Sequence, residues 1–109
     1  MIKNYEKMNF FYEKQIIIKN RSTPDFIVTH EQNLPSSYKK MILKASLMAI
    51  SKSVDFLDIT NYVKKVMDEF DGTTRWQCIC GYRDSFNITG PEEIGIAFNL
   101  GNFKFVVYK

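Results

Sequence analysis

Little in this 109-residue chain is of the kind that performs chemistry. It has one histidine, His30, and two cysteines, Cys78 and Cys80, so cysteine and histidine alone fall short of the four ligands a structural zinc ion takes. The two cysteines are two apart in "RWQCICGYRDSFNIT", residues 75–89. In an extended strand both thiols then point the same way with backbones roughly 7 Å apart, a poor spacing for a disulfide. A thiolate with His30 as its base has little support, because a strand beside Trp76 is a poor place for an exposed nucleophile. Interior packing is the expected role of both sulfurs. The five glycines never form a phosphate cradle, and no Gly-Lys-Ser/Thr sequence occurs. The adjacent acids Asp68-Glu69 and Glu92-Glu93 read as solvated charge. No catalytic residue, metal site or cofactor is expected, and the chain reads as a non-enzyme. Long apolar runs are also missing, which excludes a membrane-spanning helix. The start, "MIKNYEKMNFFYEK", lacks the apolar core of a signal peptide. The expected setting is the cytoplasm, where both thiols stay reduced.

What is present is a globular balance: 45% apolar and 25% charged residues, with room for one domain. The net charge of +3 is uneven. Residues 1–52 hold nine Lys/Arg against four Asp/Glu, and residues 53–109 hold six against eight. A solvated basic region explains this simply. An acidic partner surface, either nucleic acid or a filament, is the other reading.

Residues 1–25 read as an N-terminal extension. Tyr5, Met8, Phe11 and Tyr12 recur at helical intervals, yet "QIIIK" at 15–19 suits a strand, and both readings stay open. "FIVTH" (26–30) predicts a short strand. Pro35 suits the first turn of a helix, in which Tyr38, Met41, Ile42, Ala45, Met48 and Ala49 share one face. Asp55 and Asp58 suit the start of a second helix. Ile59, Tyr62, Val63, Val66, Met67 and Phe70 form its stripe, and Gly72 ends it. Beyond it, "RWQCICG", "DSFNIT", "IGIAFNL" and "FKFVVYK" alternate as strands, the last two joined by the Gly101-Asn102 turn signal.

The expected fold is therefore α+β, ordered β-α-α-β-β-β-β, with two amphipathic helices packed on an antiparallel sheet. So small a core favours dimerisation. The polar, short segment 83–89 is an edge able to accept a foreign strand. A nucleic-acid surface built from sheet aromatics is the less favoured reading, because Phe98, Phe103 and Phe105 fall on the same side as aliphatic residues.

Three stretches resemble the eight-kilodalton dynein light chain family. They are "W-x-C-I-x-G" (76–81) followed by Ile88-Thr89, the pattern Tyr62-Val63-Lys64-Lys65-x-x-Asp68, and the closing hairpin "FNLGNFKFVVYK". The resemblance covers residues 26–109, and Ser85-Phe86-Asn87-Ile88-Thr89 looks closer to its axonemal, type-four branch. It implies a strand-swapped dimer, with itself or a paralogous light chain, in which the strand near 84–89 pairs with the partner's Trp76–Gly81. Trp76, Gln77, Ile79, Phe86 and Ile88 would lie at that interface. A peptide groove would use Arg83, Asp84, Ser85, Phe86, Asn87, Ile88, Thr89, Gly95, Ala97 and Asn99. The implied role is a non-catalytic light chain of a microtubule motor complex in the cilium or flagellum axoneme, binding dynein intermediate chains by strand addition. A cytoplasmic dimerisation adaptor for non-motor clients is the alternative. Several family residues differ. The lysine near the start of the second helix is Leu57 and the histidine after the threonine is Gly90. Gln77 replaces the histidine between Trp and Cys, and Gly95, Ala97 and Asn99 replace groove aromatics. Thr89 is retained.

Overall fold

A computed structural model describes residues 2–19, 26–85 and 93–109. The two predicted amphipathic helices form where their apolar stripes lie. Helix α2, Ser36–Lys52, buries Ile42, Ala45, Ser46, Ala49 and Ile50. Met48, expected in that stripe, is 39% exposed. Ser46 sits inside instead, its hydroxyl satisfied by donating to the Ile42 carbonyl at 2.7 Å. Pro35 is the cap rather than the first helical residue, with φ −59° and ψ 146°. Helix α3, Phe56–Asp71, buries Ile59, Val63 and Met67, spaced three to four apart on one face. Its start is boxed on both sides. Asp55 accepts from the Asp58 N–H at 2.8 Å, and Asp58 accepts from the Val54 N–H at 3.3 Å. Gly72 ends it in the left-handed region at φ 69°.

The N-terminal extension resolves as a helix, α1, Ile2–Lys19, which takes in "QIIIK" as well. It does not stand apart from the domain. Phe10 stacks on Phe103 with ring centroids 5.4 Å apart and meets Phe56 edge-on at 5.0 Å. Ile17 is buried over the turn at Gly101, and the Lys14 ammonium donates to the Ser53 carbonyl at 2.7 Å. Tertiary packing decided an element whose local pattern pointed two ways.

Four strands form one antiparallel sheet: β1 Phe26–Gln32, β2 Gln77–Tyr82, β3 Gly95–Leu100 and β4 Phe103–Tyr108. Their spatial order is β1-β3-β4-β2. The fold is α+β, as expected. The additional strand expected over 84–89 is corrected in part. Residues 83–85 form a turn in which the Ser85 N–H donates to the Tyr82 carbonyl at 3.0 Å, and Phe86, Asn87, Ile88 and Thr89 lie outside the described residues. Ile96, Phe98, Leu100, Phe103, Phe105 and Val107 bury one face against the helices, with Phe98 and Phe105 stacked at 4.9 Å. These aromatics are core, which leaves them unable to stack on bases. Gly101, at φ 59°, takes the first central place of the β3–β4 hairpin, where a left-handed residue suits a two-residue turn.

Candidate functional site

Strand β2 lies at one edge of the sheet, so its register decides which main-chain groups face outward. The Arg83 N–H donates to the Asn102 carbonyl, its opposite in the β2–β4 register, at 3.0 Å. Bonded and non-bonded pairs alternate in an antiparallel ladder. Gly81, Ile79 and Gln77 therefore exchange bonds with Lys104, Val106 and Tyr108. The β3 side of β4 agrees, because Lys109 donates to the Ile94 carbonyl at 3.2 Å and sets the odd-numbered residues of β4 toward β3. Main-chain groups of Trp76, Cys78, Cys80 and Tyr82 thus point away from β4.

Helix α3 supports this edge through two carboxylates. Asp68 accepts from the Trp76 N–H at 2.9 Å and pairs with Lys64 at 2.9 Å. The Lys64 ammonium also donates to the Trp76 carbonyl at 2.8 Å and to the Thr74 carbonyl at 3.1 Å. The hydrogen bond from Lys64 holds the Asp68 carboxyl below the usual carboxylate range. One turn on, Asp71 accepts from three donors. These are the Tyr38 hydroxyl, the Trp76 indole N–H at 3.1 Å and the Lys109 ammonium at 2.6 Å. The bond from Lys109, then that from Tyr38, lowers Asp71 to about 2. The same contact raises Tyr38, keeping it a neutral donor.

Cys78 and Cys80 face the helices and are free thiols. Burial pushes Cys78 up to about 12, and burial with the neighbouring Cys78 raises Cys80 further above its ordinary value. Neither is poised as a nucleophile. Among the described residues, no group of three or more His, Cys, Asp or Glu could hold a metal ion.

The structure separates the expected site residues. Gln77 is exposed and Ile79 half-buried, both on the sheet face turned away from the helices. Trp76 is fully buried, held by Asp71 and lying beneath the Lys109 ammonium at 5.7 Å, so its ring supports the strand from inside. Arg83, Asp84 and Ser85 are exposed in the turn after β2. Gly95, Ala97 and Asn99 are buried in β3 on the side opposite the helices, and the Asn99 side-chain oxygen has no hydrogen-bond partner among the described residues. Leu57 stands 67% exposed in the first turn of α3. Lys64, Asp68, Asp71, Tyr38 and Lys109 are what the sequence reading missed as a group. The i, i+4 spacing of Lys64 and Asp68 was a usable signal. It left Asp68 in solvent, however, whereas its side chain is 16% exposed.

The sequence profile described as dynein light chain type 1 matches residues 27–109. The chain belongs to that family. Two structures of the dynein light chain-like domain of a Fasciola hepatica calcium-binding protein share the fold. A mercury derivative is 17% identical, with 78% of this chain and 91% of that one covered at a TM-score of 0.56. The native structure is 15% identical, with 80% of this chain and 92% of that one covered at a TM-score of 0.57. No curated protein matches the chain. Helix α1 precedes the dynein light chain match yet packs into the core it defines.

Proposed function

We propose that this protein is a non-catalytic dynein light chain that dimerises and holds intermediate chains of an axonemal motor as added β-strands. The observation that carries this reading is the β2 edge, where the outward main-chain groups of Cys78 and Cys80 sit over a helix that fixes the strand's start. Backbone bonding along such an edge gives affinity without demanding a particular side chain. Family membership supports an adaptor role, and the inert thiols agree with a binding surface rather than a reaction centre.

In this reading Gln77, Ile79, Phe86 and Ile88 meet the twin subunit, with Trp76 bracing them from below. Residues 83–89 flank the groove, and Gly95, Ala97 and Asn99 form its floor. A floor of small residues and Leu57 in place of the expected lysine suit a dedicated partner better than a range of glutamine-centred peptides. Each lost polar anchor weakens such peptides by about 1–3 kcal/mol. Sedimentation followed by titration with two synthetic peptide sets tests this. A dimer that binds intermediate-chain N-terminal peptides at least tenfold tighter than glutamine-centred ones is expected. Equal affinity for both sets refutes the dedicated partner, and no binding to the intermediate-chain set refutes the motor role.

A further inference from the structure

The four residues of β2 and its lead-in that turn main-chain groups outward are not equally available. At Trp76 both groups are taken by one helix: the N–H by Asp68 at 2.9 Å and the carbonyl by Lys64 at 2.8 Å. At Tyr82 the carbonyl accepts from the Ser85 N–H at 3.0 Å and from the Ser85 hydroxyl at 2.8 Å. Between these ends, no hydrogen bond among the described residues reaches the outward groups of Cys78 and Cys80. The edge is bracketed, with a window two outward residues long.

We propose that Lys64 and Asp68 are positioning residues that set the register and length of the strand docked on β2. The proposal rests on docking by strand addition and takes a second copy of this chain as the occupant. An incoming strand zips along an edge as long as it finds donors and acceptors in phase. Where those groups are already paired, extension replaces one hydrogen bond by another and also orders more chain, so it gains nothing. The clamp therefore stops the ladder before Trp76. The Ser85 turn draws the Tyr82 carbonyl away at the other end. A strand shifted by two residues toward Trp76 would meet an N–H already given to Asp68 and a carbonyl already faced by the Lys64 ammonium, which selects one register among those that backbone pairing alone would allow. Lys64 suits this task because its ammonium serves three acceptors at once: the Trp76 and Thr74 carbonyls and the Asp68 carboxylate.

Residue-resolved amide exchange on the whole chain, followed from dilute to concentrated solution, tests the bracket. The Cys78 and Cys80 amides should slow at least about tenfold as the protein associates. The Trp76 amide should be protected at every concentration and gain nothing. In the Lys64→Met, Asp68→Asn double variant, Trp76 should lose its concentration-independent protection and join the concentration-dependent set. Lys64→Arg should restore the wild-type pattern, which a loss of stability alone could not do.

The possible failures are distinct. If Trp76 in the wild-type protein slows on association together with Cys78 and Cys80, the bracket is overturned while strand addition stands. If the chain associates and none of these amides slows, or if it stays monomeric throughout, strand addition between copies fails and the bracket falls with it. The wild-type measurement decides the matter even if the double variant does not fold.

Discussion

Asp71 shows how much one carboxylate does here. It ends α3, yet it ties Tyr38 of α2, the indole of Trp76 and the side chain of Lys109 to one point. Its side chain is only 8% exposed, so none of the three donors finds water as an easy substitute. Because folding lowers its pKa from 3.8 to about 2, the folded protein holds the ionised form more tightly than the unfolded chain does. The stabilisation is complete above about pH 4 and is lost as pH falls through about 2. Asp71→Asn is therefore expected to melt several degrees lower at neutral pH, and the gap from wild type should close in acid. Thermal melts of both proteins from pH 7 to pH 2 check this; a gap that widens in acid contradicts it. None of this was readable from neighbours in sequence. The seven residues between Asp68 and Trp76 bring the strand back under the helix that precedes it, and only that return gives the two acids their donors.

At the scale of elements, α1 is the instructive case. Its helical spacing and its three consecutive isoleucines argue for different structures, and nothing local settles the matter. The rings of Phe56 and Phe103 do, by offering Phe10 a stacked partner on one side and an edge on the other. Phe56 and Phe103 also pack on Tyr82, the last residue of β2, so α1 adjoins the cluster that seats that strand's far end. Phe10→Ala should cost about 3–5 kcal/mol, as for other buried phenylalanines. Urea denaturation measures it, and a loss below about 1 kcal/mol would show that α1 is dispensable. By contrast α2 and α3 were legible almost in full. Ile59, Val63 and Met67 are spaced for one face, and Asp55, Asp58 and Gly72 mark the ends through bonds to their own neighbours. The strands β3 and β4 were legible for the same reason, through alternation and the Gly101 turn. Residue spacing alone misplaced Met48, because the buried stripe of α2 runs through Ser46, Ala49 and Ile50 instead.

For the molecule as a whole, the sheet is finished on the helix side, and among the described residues its edge strands are β1 and β2. Phe98, Phe105 and Val107 are sealed in the centre, whereas β2 borders no other described strand beyond β4. The position of the two sulfurs under that border has a practical outcome. Cys78 and Cys80 are tucked beneath β2, and burial keeps both protonated far above neutral pH. Both residues are half-buried, so their raised thiol pKa slows a thiol reagent in the closed strand, and lifting of the strand exposes them further. Labelling at pH 7 should run at least about a hundredfold slower than in denaturant. If a further strand docks on β2 it should slow again, and a rate unchanged on association would place the contact elsewhere. The protein carries its own reporter, two sulfur atoms whose labelling quickens with each lifting of its border strand.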